Sequence, residues 1–242
     1  MNEPGQSKKT GRIILWCVAA LLAALLAAIF VKITFFFTGN TTSDSGDVTA
    51  VQTEDPEPSE TALSPIEEQK RARDELDQIG GVVYYSTTEE PYCNGWYGTD
   101  SLRDFSCGPS TMSMVISTLS DDIVIDPIAM CDWSVEHGYW CPGGGTYTVF
   151  LTAAAEQFGI PVRQDVWTEE NIYSYLDQGK LIIFTVGPGA FTNGSHFLLL
   201  RGYTEEGNLL ICDSYSRKFS MREWSYDELY GQLINNMIWI YG

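Results

Sequence analysis

The sequence predicts a mixed α+β domain behind a single N-terminal transmembrane helix. Three observations support this prediction: a long apolar run near the N-terminus, a polar segment after it, and a C-terminal part in which helical patterns come before strand-length apolar runs. Helices followed by neighbouring strands are typical of α+β domains, whereas regular alternation of the two indicates a parallel sheet. The chain has 242 residues, which is enough for one or two domains.

The membrane anchor is predicted at residues 13–37. Ile13–Val31 contains 19 consecutive uncharged residues, and a helix of that length covers the hydrocarbon core of a bilayer. A cleavable signal peptide would have a shorter apolar region followed by small residues, whereas here the apolar sequence resumes after Lys32 and ends in Phe-Phe-Phe at 35–37. Lys and Arg before the run favour a cytoplasmic location for residues 1–12. We therefore expect a single-pass protein of the cell membrane whose remaining residues lie outside the cytoplasm.

Three further segments follow the anchor. Residues 38–63 are rich in Thr, Ser, Asp, Glu and Pro, a composition that predicts a disordered acidic stalk. Residues 64–80 begin with Ser-Pro-Ile-Glu, which combines an N-cap, a proline in the first turn and a capping-box glutamate. They predict a juxtadomain helix that stops at Gly80-Gly81. Residues 81–242 have the composition of a folded domain.

Apolar periodicity, N-caps and turn residues predict the elements of this domain. Helices are predicted at Pro109–Leu119, Pro127–Glu136, Tyr147–Phe158, Glu169–Asp177 and 225–233. Strands are predicted at Val82–Ser86, Pro161–Trp167, Leu181–Val186, His196–Tyr203, Leu209–Asp213 and Met237–Tyr241. Most helices come before most strands, which indicates an antiparallel sheet in the C-terminal half.

The charge of the chain excludes one class of partner. There are 32 acidic residues against 14 basic ones, and the formal net charge is −18. Binding to nucleic acid depends on clustered Lys and Arg that contact phosphates, so no nucleic acid is expected. The negative electrostatic field of such a chain favours cationic over acidic partners.

Cys107 is the first candidate catalytic residue. It lies directly before a helix that Pro109 helps to open, and the N-terminus of a helix stabilises a thiolate. Taken by itself, a cysteine at this position is more often a small buried apolar side chain than a nucleophile. A catalytic role for Cys107 therefore depends on whether the fold places a general base beside it.

His196 and Asp213 supply that base and its partner. His196 begins one predicted strand and Asp213 ends the next, with a turn near residues 204–206 between them. In an antiparallel hairpin, the start of the first strand lies beside the end of the second. If the numbers of directly paired residues add up to an odd value, as those of His196 and Asp213 do, the two side chains lie on the same face of the sheet. They are then opposite or diagonal to each other. A carboxylate there would orient the imidazole, and the three residues together predict a Cys-His-Asp triad.

Several sequence blocks resemble a known family, the bacteriocin-leader (double-glycine) peptidase-like cysteine peptidases. This is family thirty-nine of the cysteine peptidases, a branch of the papain-like superfamily, and the resemblance covers residues 82–242. The blocks are Tyr-Tyr-Ser at 84–86, Phe-Ser-Cys-Gly-Pro-Ser-Thr-Met at 105–112, Gly-Gly-Gly-Thr at 143–146, Gly-Pro-Gly-Ala-Phe-Thr-Asn-Gly-Ser-His-Phe at 187–197 and Cys-Asp-Ser-Tyr-Ser at 212–216.

The resemblance implies a papain-like fold, in which a helical half carries the cysteine and an antiparallel sheet half carries the histidine. It implies that Cys107 is the nucleophile, His196 the general base and Asp213 its orienting carboxylate. Papain-like enzymes usually place a Gln about six residues before the cysteine, where this chain has Ser101, and some relatives carry Gln where it has Thr87. Ser101 and Thr87 are therefore the candidate side-chain donors to an oxyanion.

Two weaker motifs complete the sequence-based picture. Gly143 and Gly144 let the backbone approach closely, so they are candidates for a substrate-cleft wall, although a plain helix-entry turn explains them equally well. Cys131 and Cys141 flank an aromatic segment and are a candidate disulfide for a domain outside the cytoplasm. No cysteine or acidic spacing of a metal site is present, so no metal or cofactor is expected.

These observations predict a membrane-anchored, extracytoplasmic cysteine peptidase that acts on a peptide or protein substrate. Two alternatives remain open at this stage. One is a catalytically inactive papain-like module that binds peptides or cell-wall fragments, which the missing Gln favours. The other is a cysteine transpeptidase or acyltransferase, because an amine can resolve the same acyl-enzyme.

Overall fold

A six-stranded antiparallel sheet forms the centre of the domain, with helices on both faces. The computed structural model describes residues 65–242. The predictions for the cytoplasmic segment 1–12, the anchor 13–37 and the stalk 38–63 lie outside the described residues. Within residues 65–242, no helix has the length and apolar character needed to cross a membrane.

Eight α-helices are present in this described range. They are α1 Pro65–Asp74, α2 Leu102–Phe105, α3 Cys107–Leu119, α4 Pro127–Glu136, α5 Phe150–Gln157, α6 Glu169–Asp177, α7 Arg217–Ser220 and α8 Tyr226–Tyr230. The strands are β1 Gln78–Ile79, β2 Val82–Val83, β3 Trp96–Tyr97, β4 Asp100–Ser101, β5 Trp140–Cys141, β6 Gly145–Thr146, β7 Val162–Val166, β8 Leu181–Val186, β9 His196–Tyr203, β10 Leu209–Cys212, β11 Glu223–Trp224 and β12 Leu233–Tyr241.

The central sheet has the strand order β11-β10-β9-β8-β12-β7. Every residue of β8 is buried, because helices cover both faces of the sheet. On one face, Ile183 and Leu199 pack in a core with residues of α3, α4 and α5. On the other face, Ile182 and Leu198 pack in a second core with residues of α6 and α8. The mixed helix and sheet composition predicted from the sequence is confirmed.

Helix α3 packs against the sheet along most of its length. Its residues from Gly108 to Ser117 are all buried, which the small Gly, Ser and Thr side chains on this helix permit. The helix begins at Cys107, two residues before the predicted start, and Ser110 N–H donates to the Ser106 carbonyl (2.8 Å). Pro109 fits the first turn because its missing N–H would have no partner within the helix. Cys107 is therefore the first residue of the helix.

The juxtadomain helix is shorter than predicted. It ends at Asp74, and Gln78–Ile79 pairs with Val82–Val83 as an antiparallel hairpin. Gly80 and Gly81 form the two-residue turn with φ values of 59° and 81°. Both values lie in the left-handed region that two-residue hairpins require and that glycine adopts readily. The Gly-Gly pair therefore turns a hairpin instead of ending a helix.

Other boundaries also differ from the sequence prediction. The helix predicted at 225–233 is limited to Tyr226–Tyr230. Helix α5 begins at Phe150 instead of Tyr147, strand β2 is limited to Val82–Val83, and β12 extends back to Leu233. The extension of β12 follows from tertiary pairing, because Leu233 pairs with Val186 of β8 across an irregular register. Asn235 and Asn236 interrupt the apolar alternation, so the sequence pattern did not predict this pairing.

Candidate active site

Cys107 lines a groove, together with Phe197 from the start of β9. Burial raises the pKa of the Cys107 thiol, but hydrogen bonding and charge from His196 together with N–H groups of Phe197 and Gly108 outweigh it, so the pKa is lowered overall. Both N–H groups donate to the sulfur. The structure thus stabilises the thiolate form of Cys107.

His196 is the first residue of β9, and only 8% of its surface is exposed. Its Nε2 lies 2.8 Å from Asp213 Oδ1. Burial lowers the pKa of His196, yet the interactions with Asp213 and Cys107 raise it to about 10. Because a carboxylate only accepts hydrogen bonds, the Nε2–H group of His196 donates to Asp213, and Nδ1 is the ring nitrogen left for Cys107. The imidazole and the thiol therefore favour an imidazolium–thiolate pair.

A β-bulge brings Asp213 to the correct face of the sheet. Near the turn, Leu210 pairs with Gly202, but after the bulge Ile211 pairs with Leu200 and Arg201 is the extra residue. Continued past the end of β10, the shifted register sets Asp213 opposite residue 198, diagonal to His196 and on the same face. Without the shift, Asp213 would lie opposite residue 199 and face the other core.

The main chain around Asp213 is held by several hydrogen bonds. Asp213 is 1% exposed, and Tyr215 N–H donates to its Oδ1 (2.9 Å). Asp213 N–H donates to Ser220 Oγ (2.8 Å), and the Tyr84 hydroxyl donates to the Asp213 carbonyl (2.8 Å). Burial raises the pKa of Tyr84 to about 12, so the phenol keeps its proton. Tyr84 belongs to the Tyr-Tyr-Ser block of the family resemblance, but the sequence did not reveal its contact with Asp213, and no sequence signal pointed to Ser220.

The groove around Cys107 has a volume of about 540 Å³. Its walls come from the segment before Cys107, the β5–β6 hairpin, the loop before His196 and the start of β12. The lining residues are Asp104, Phe105, Cys107, Gly143, Gly144, Gly145, Thr146, Thr148, Thr185, Thr192, Gly194, Ser195, Phe197, Ile234 and Asn235. The structure places the predicted Gly143 and Gly144 on this groove beside Cys107.

Asp100 supports the glycine wall of the groove. Its Oδ2 accepts hydrogen bonds from Gly143 N–H (2.7 Å) and from Trp140 Nε1–H (3.0 Å). Gly145 adopts a φ of 84°, and a Cβ there would lie 3.1 Å from the Phe105 carbonyl oxygen. The hairpin therefore sits close to the segment that leads to Cys107. Asp100 is a residue that the sequence reasoning missed, because its partners are 40 or more positions away.

Ser101 and Thr87, the predicted oxyanion donors, lie outside the groove. Thr87 is buried, and both its N–H (2.8 Å) and its hydroxyl (3.2 Å) donate to the Ser214 carbonyl. Ser101 pairs with Trp96 in the β3–β4 hairpin. Neither lines the groove in the described part of the chain. Thr87 instead holds the loop that carries Asp213.

The candidate disulfide between Cys131 and Cys141 is not formed, and all five cysteines of residues 65–242 are free. Cys131 is fully buried against Tyr97 and Leu102, and burial raises its pKa. Cys141 lies in the β5–β6 hairpin, where a Cβ on Gly144 would contact its Sγ. The two thiols therefore belong to different environments. No cluster of His, Cys, Asp and Glu able to hold a metal ion occurs in the same range.

A cysteine that begins a helix, facing a histidine–aspartate pair on an antiparallel sheet, is the arrangement found in papain-like cysteine peptidases. Residues 82–241 match the family model described as Peptidase_C39 like family. The chain belongs to this family, which confirms the resemblance seen in the sequence. Peptides are the substrates that a peptidase domain of this kind implies. No curated protein matches the chain.

Solved structures similar to the chain at low sequence identity include the following three. The peptidase domain of Streptococcus ComA, a bi-functional ABC transporter involved in quorum sensing, has 17% identity and a TM-score of 0.44, covering 56% of this chain and 90% of its own. A Bacillus anthracis protein described as a C39-like peptidase has 12% identity and a TM-score of 0.44, covering 66% and 93%. A double glycine motif protease of an AMS/PCAT transporter, solved with a leader peptide, has 16% identity and a TM-score of 0.41, covering 60% and 88%.

Proposed function

We propose that this protein is a membrane-anchored, extracytoplasmic cysteine peptidase that cuts peptide bonds with Cys107, His196 and Asp213. One observation carries the proposal: His196 contacts Asp213 at 2.8 Å while also lowering the pKa of the Cys107 thiol. A thiolate is the reactive form of cysteine, and an imidazolium beside it holds the proton that a leaving amine needs.

The proposed reaction proceeds in two steps. The Cys107 thiolate attacks the peptide carbonyl carbon, and the C–N bond breaks as His196 gives its proton to the leaving amine. This leaves a thioester between Cys107 and the acyl part of the substrate. His196, now neutral, takes a proton from a water molecule that attacks the thioester, and the carboxylic acid leaves as the thiolate returns. Asp213 keeps the imidazole oriented and stabilises its charged form throughout.

Backbone N–H groups at the start of α3 are the proposed donors to the oxyanion. The first N–H groups of a helix have no acceptor within the helix, and the positive end of the helix dipole lies at the same place. Cys107 is the first residue of α3, so its own N–H is suited to this role. Neither predicted side-chain donor lines the groove, because Ser101 pairs with Trp96 and the Thr87 hydroxyl donates to the Ser214 carbonyl.

Thiol labelling of the full-length chain tests the catalytic proposal. Wild-type protein should react rapidly with an acyloxymethyl ketone peptide probe, and Cys107→Ala should abolish the labelling. His196→Ala should slow it strongly, since the base and its charge are removed. Equal, slow labelling of wild type and His196→Ala would contradict the proposed peptidase activity.

The membrane location is supported by the 19-residue uncharged run that begins at Ile13 and by the basic residues before it. Protease added to intact cells should cut within the 38–63 segment and release residues 65–242. Release only after cell lysis would reverse the proposed orientation. This experiment is independent of catalysis and is done equally well with the Cys107→Ala protein.

A binding module without catalysis is the second candidate. The engagement of Thr87 with Ser214 favours it, because loss of one oxyanion donor lowers kcat by about 10²–10³. Such a module would bind peptides in the groove and leave them intact. Peptide binding by wild-type protein, combined with slow thiol labelling and no cleavage, would support this candidate over the peptidase.

A further inference from the structure

The groove around Cys107 contains a single acidic side chain. Among its lining residues in the described part of the chain, Asp104 is the only Asp, Glu, Lys or Arg. The other walls are formed by Gly, Thr, Ser, Asn, Phe and Ile side chains, apart from Cys107 itself. The thiolate of Cys107 has its counter-charge in His196, so Asp104 supplies the unbalanced charge of the groove.

No strong partner neutralises the Asp104 carboxylate. Arg103 Nε lies 3.9 Å from Asp104 Oδ1, and both side chains are about half exposed, at 51% each. Exposed pairs of this kind contribute little. The Arg103 guanidinium also stands over the Tyr215 ring, 5.7 Å from its centroid, and the Tyr215 hydroxyl approaches Asp104 only at 3.4 Å. The carboxylate therefore keeps acceptor capacity for a ligand.

The position of Asp104 relates this charge to the reacting atoms. Asp104 lies in α2, three residues before Cys107, and lines the same groove. A peptide bound with its carbonyl at Cys107 would pass this carboxylate within a few residues of the bond that is cut. The net charge of −18 adds a long-range attraction for cations and a repulsion of acidic peptides.

We propose that Asp104 selects peptides that carry a Lys or Arg side chain within a few residues of the bond that is cut. The inference rests on the proposed peptidase function and names the class of its substrate. The carboxylate is exposed, so the preference for a cationic over a neutral side chain is about two- to fivefold. It declines as salt screens the pair.

Two matched peptides test this selectivity on the full-length chain. Both peptides are fluorogenic, and they are identical except that one carries Lys where the other carries norleucine. One such pair is made for each position on either side of the cleaved bond. At one position, wild-type kcat/KM should favour Lys about two- to fivefold at low salt, with a smaller ratio at high salt. Asp104→Asn should bring that ratio close to one. Asp121→Asn, which removes an exposed charge away from the groove, is the matched control and should keep the ratio.

A binding measurement separates this inference from the peptidase proposal. Cys107→Ala protein should bind the labelled Lys peptide more tightly than the norleucine peptide, and the added Asp104→Asn change should abolish the difference. Absence of turnover by wild type would contradict the peptidase function alone, because the binding comparison still reports on Asp104. A Lys-to-norleucine ratio near one in wild type, or one that survives Asp104→Asn, overturns the inference.

Discussion

His196 Nε2 and Asp213 Oδ1 lie 2.8 Å apart although 17 positions separate the two residues. The contact depends on the extra residue Arg201, which shifts the β9–β10 register by one. A one-residue shift moves a side chain to the opposite face of a sheet. The bulge is therefore a structural requirement of the site, as bulges next to active sites often are.

The first prediction concerns the pH dependence of Cys107 alkylation. The Cys107 pKa is lowered, and that of His196 is raised to about 10. Iodoacetamide should therefore modify Cys107 well below pH 8.5, the ordinary pKa of a thiol, and reactivity should fall only as pH drops through the lowered pKa. In His196→Ala, Cys107 stays buried but loses the positive charge of the imidazolium, so the Cys107 pKa should rise. The acid limb of the alkylation profile should therefore move to higher pH.

Peptide-resolved mass spectrometry measures this alkylation. Cys141 is a partly exposed thiol of the same chain and serves as an internal reference that His196→Ala should leave unaltered. Peptide turnover should have a second, alkaline limb near pH 10, since loss of the His196 proton removes the acid for the leaving amine. An unshifted acid limb in His196→Ala would mean that the two residues do not interact.

The second prediction is for Asp213→Asn. The substitution keeps the shape but removes the charge that stabilises protonated His196, so the His196 pKa should fall and the Cys107 pKa should rise. We expect kcat to drop by roughly 10²–10⁴, as orienting carboxylates of triads show. Thermal unfolding checks that the fold persists, and the alkylation profile checks the pKa change. If Cys107 alkylation in Asp213→Asn has the same pH dependence as in wild type, Asp213 does not influence the Cys107–His196 pair.

The third prediction separates Tyr84 from its neighbour Tyr85. Tyr84→Phe removes the hydrogen bond to the Asp213 carbonyl, so unfolding free energy should fall by about 1 kcal/mol and kcat severalfold. Tyr85→Phe removes only a 3.4 Å contact with Ser117 and is the matched control, with a smaller loss of stability and unchanged kcat. Equal kcat effects in both variants would show that Tyr84 acts through packing alone.

The fourth prediction concerns the glycine wall. Asp100→Ala removes the acceptor of the Gly143 and Trp140 N–H groups, so the wall should lose its position and KM should rise about three- to tenfold, equivalent to roughly 0.7–1.4 kcal/mol. Asp100→Asn keeps an acceptor oxygen and should recover part of the loss. Exposed Asp132 provides the control variant Asp132→Ala. The Cys107 alkylation profile should be unchanged in all three, and a shifted profile would place Asp100 in the chemistry instead.

Much of the fold was predictable from local patterns. The bounds of Glu169–Asp177, Leu181–Val186 and His196–Tyr203 agree with the structure, because N-caps and continuous apolar runs are local signals. A capping box of Ser225 and Glu228 lies at the start of the helix that was predicted to begin at residue 225. The Gly80-Gly81 turn was misassigned because glycine ends helices and turns hairpins with the same backbone freedom.

The site shows the same division between local and long-range information. The sequence alone identified Cys107 at a helix start, His196 at a strand start and Asp213 at a strand end, since each lies at the boundary of an element. It could not reveal the bulge that aligns the last two, because Arg201 is an ordinary strand residue until pairing forces a register. Hydrogen bonds that join distant segments, such as Asp100 to Gly143 and Tyr84 to Asp213, exist only once packing brings those segments together. Local propensity therefore determined which elements carry the candidate site, and tertiary packing decided how they are held in place.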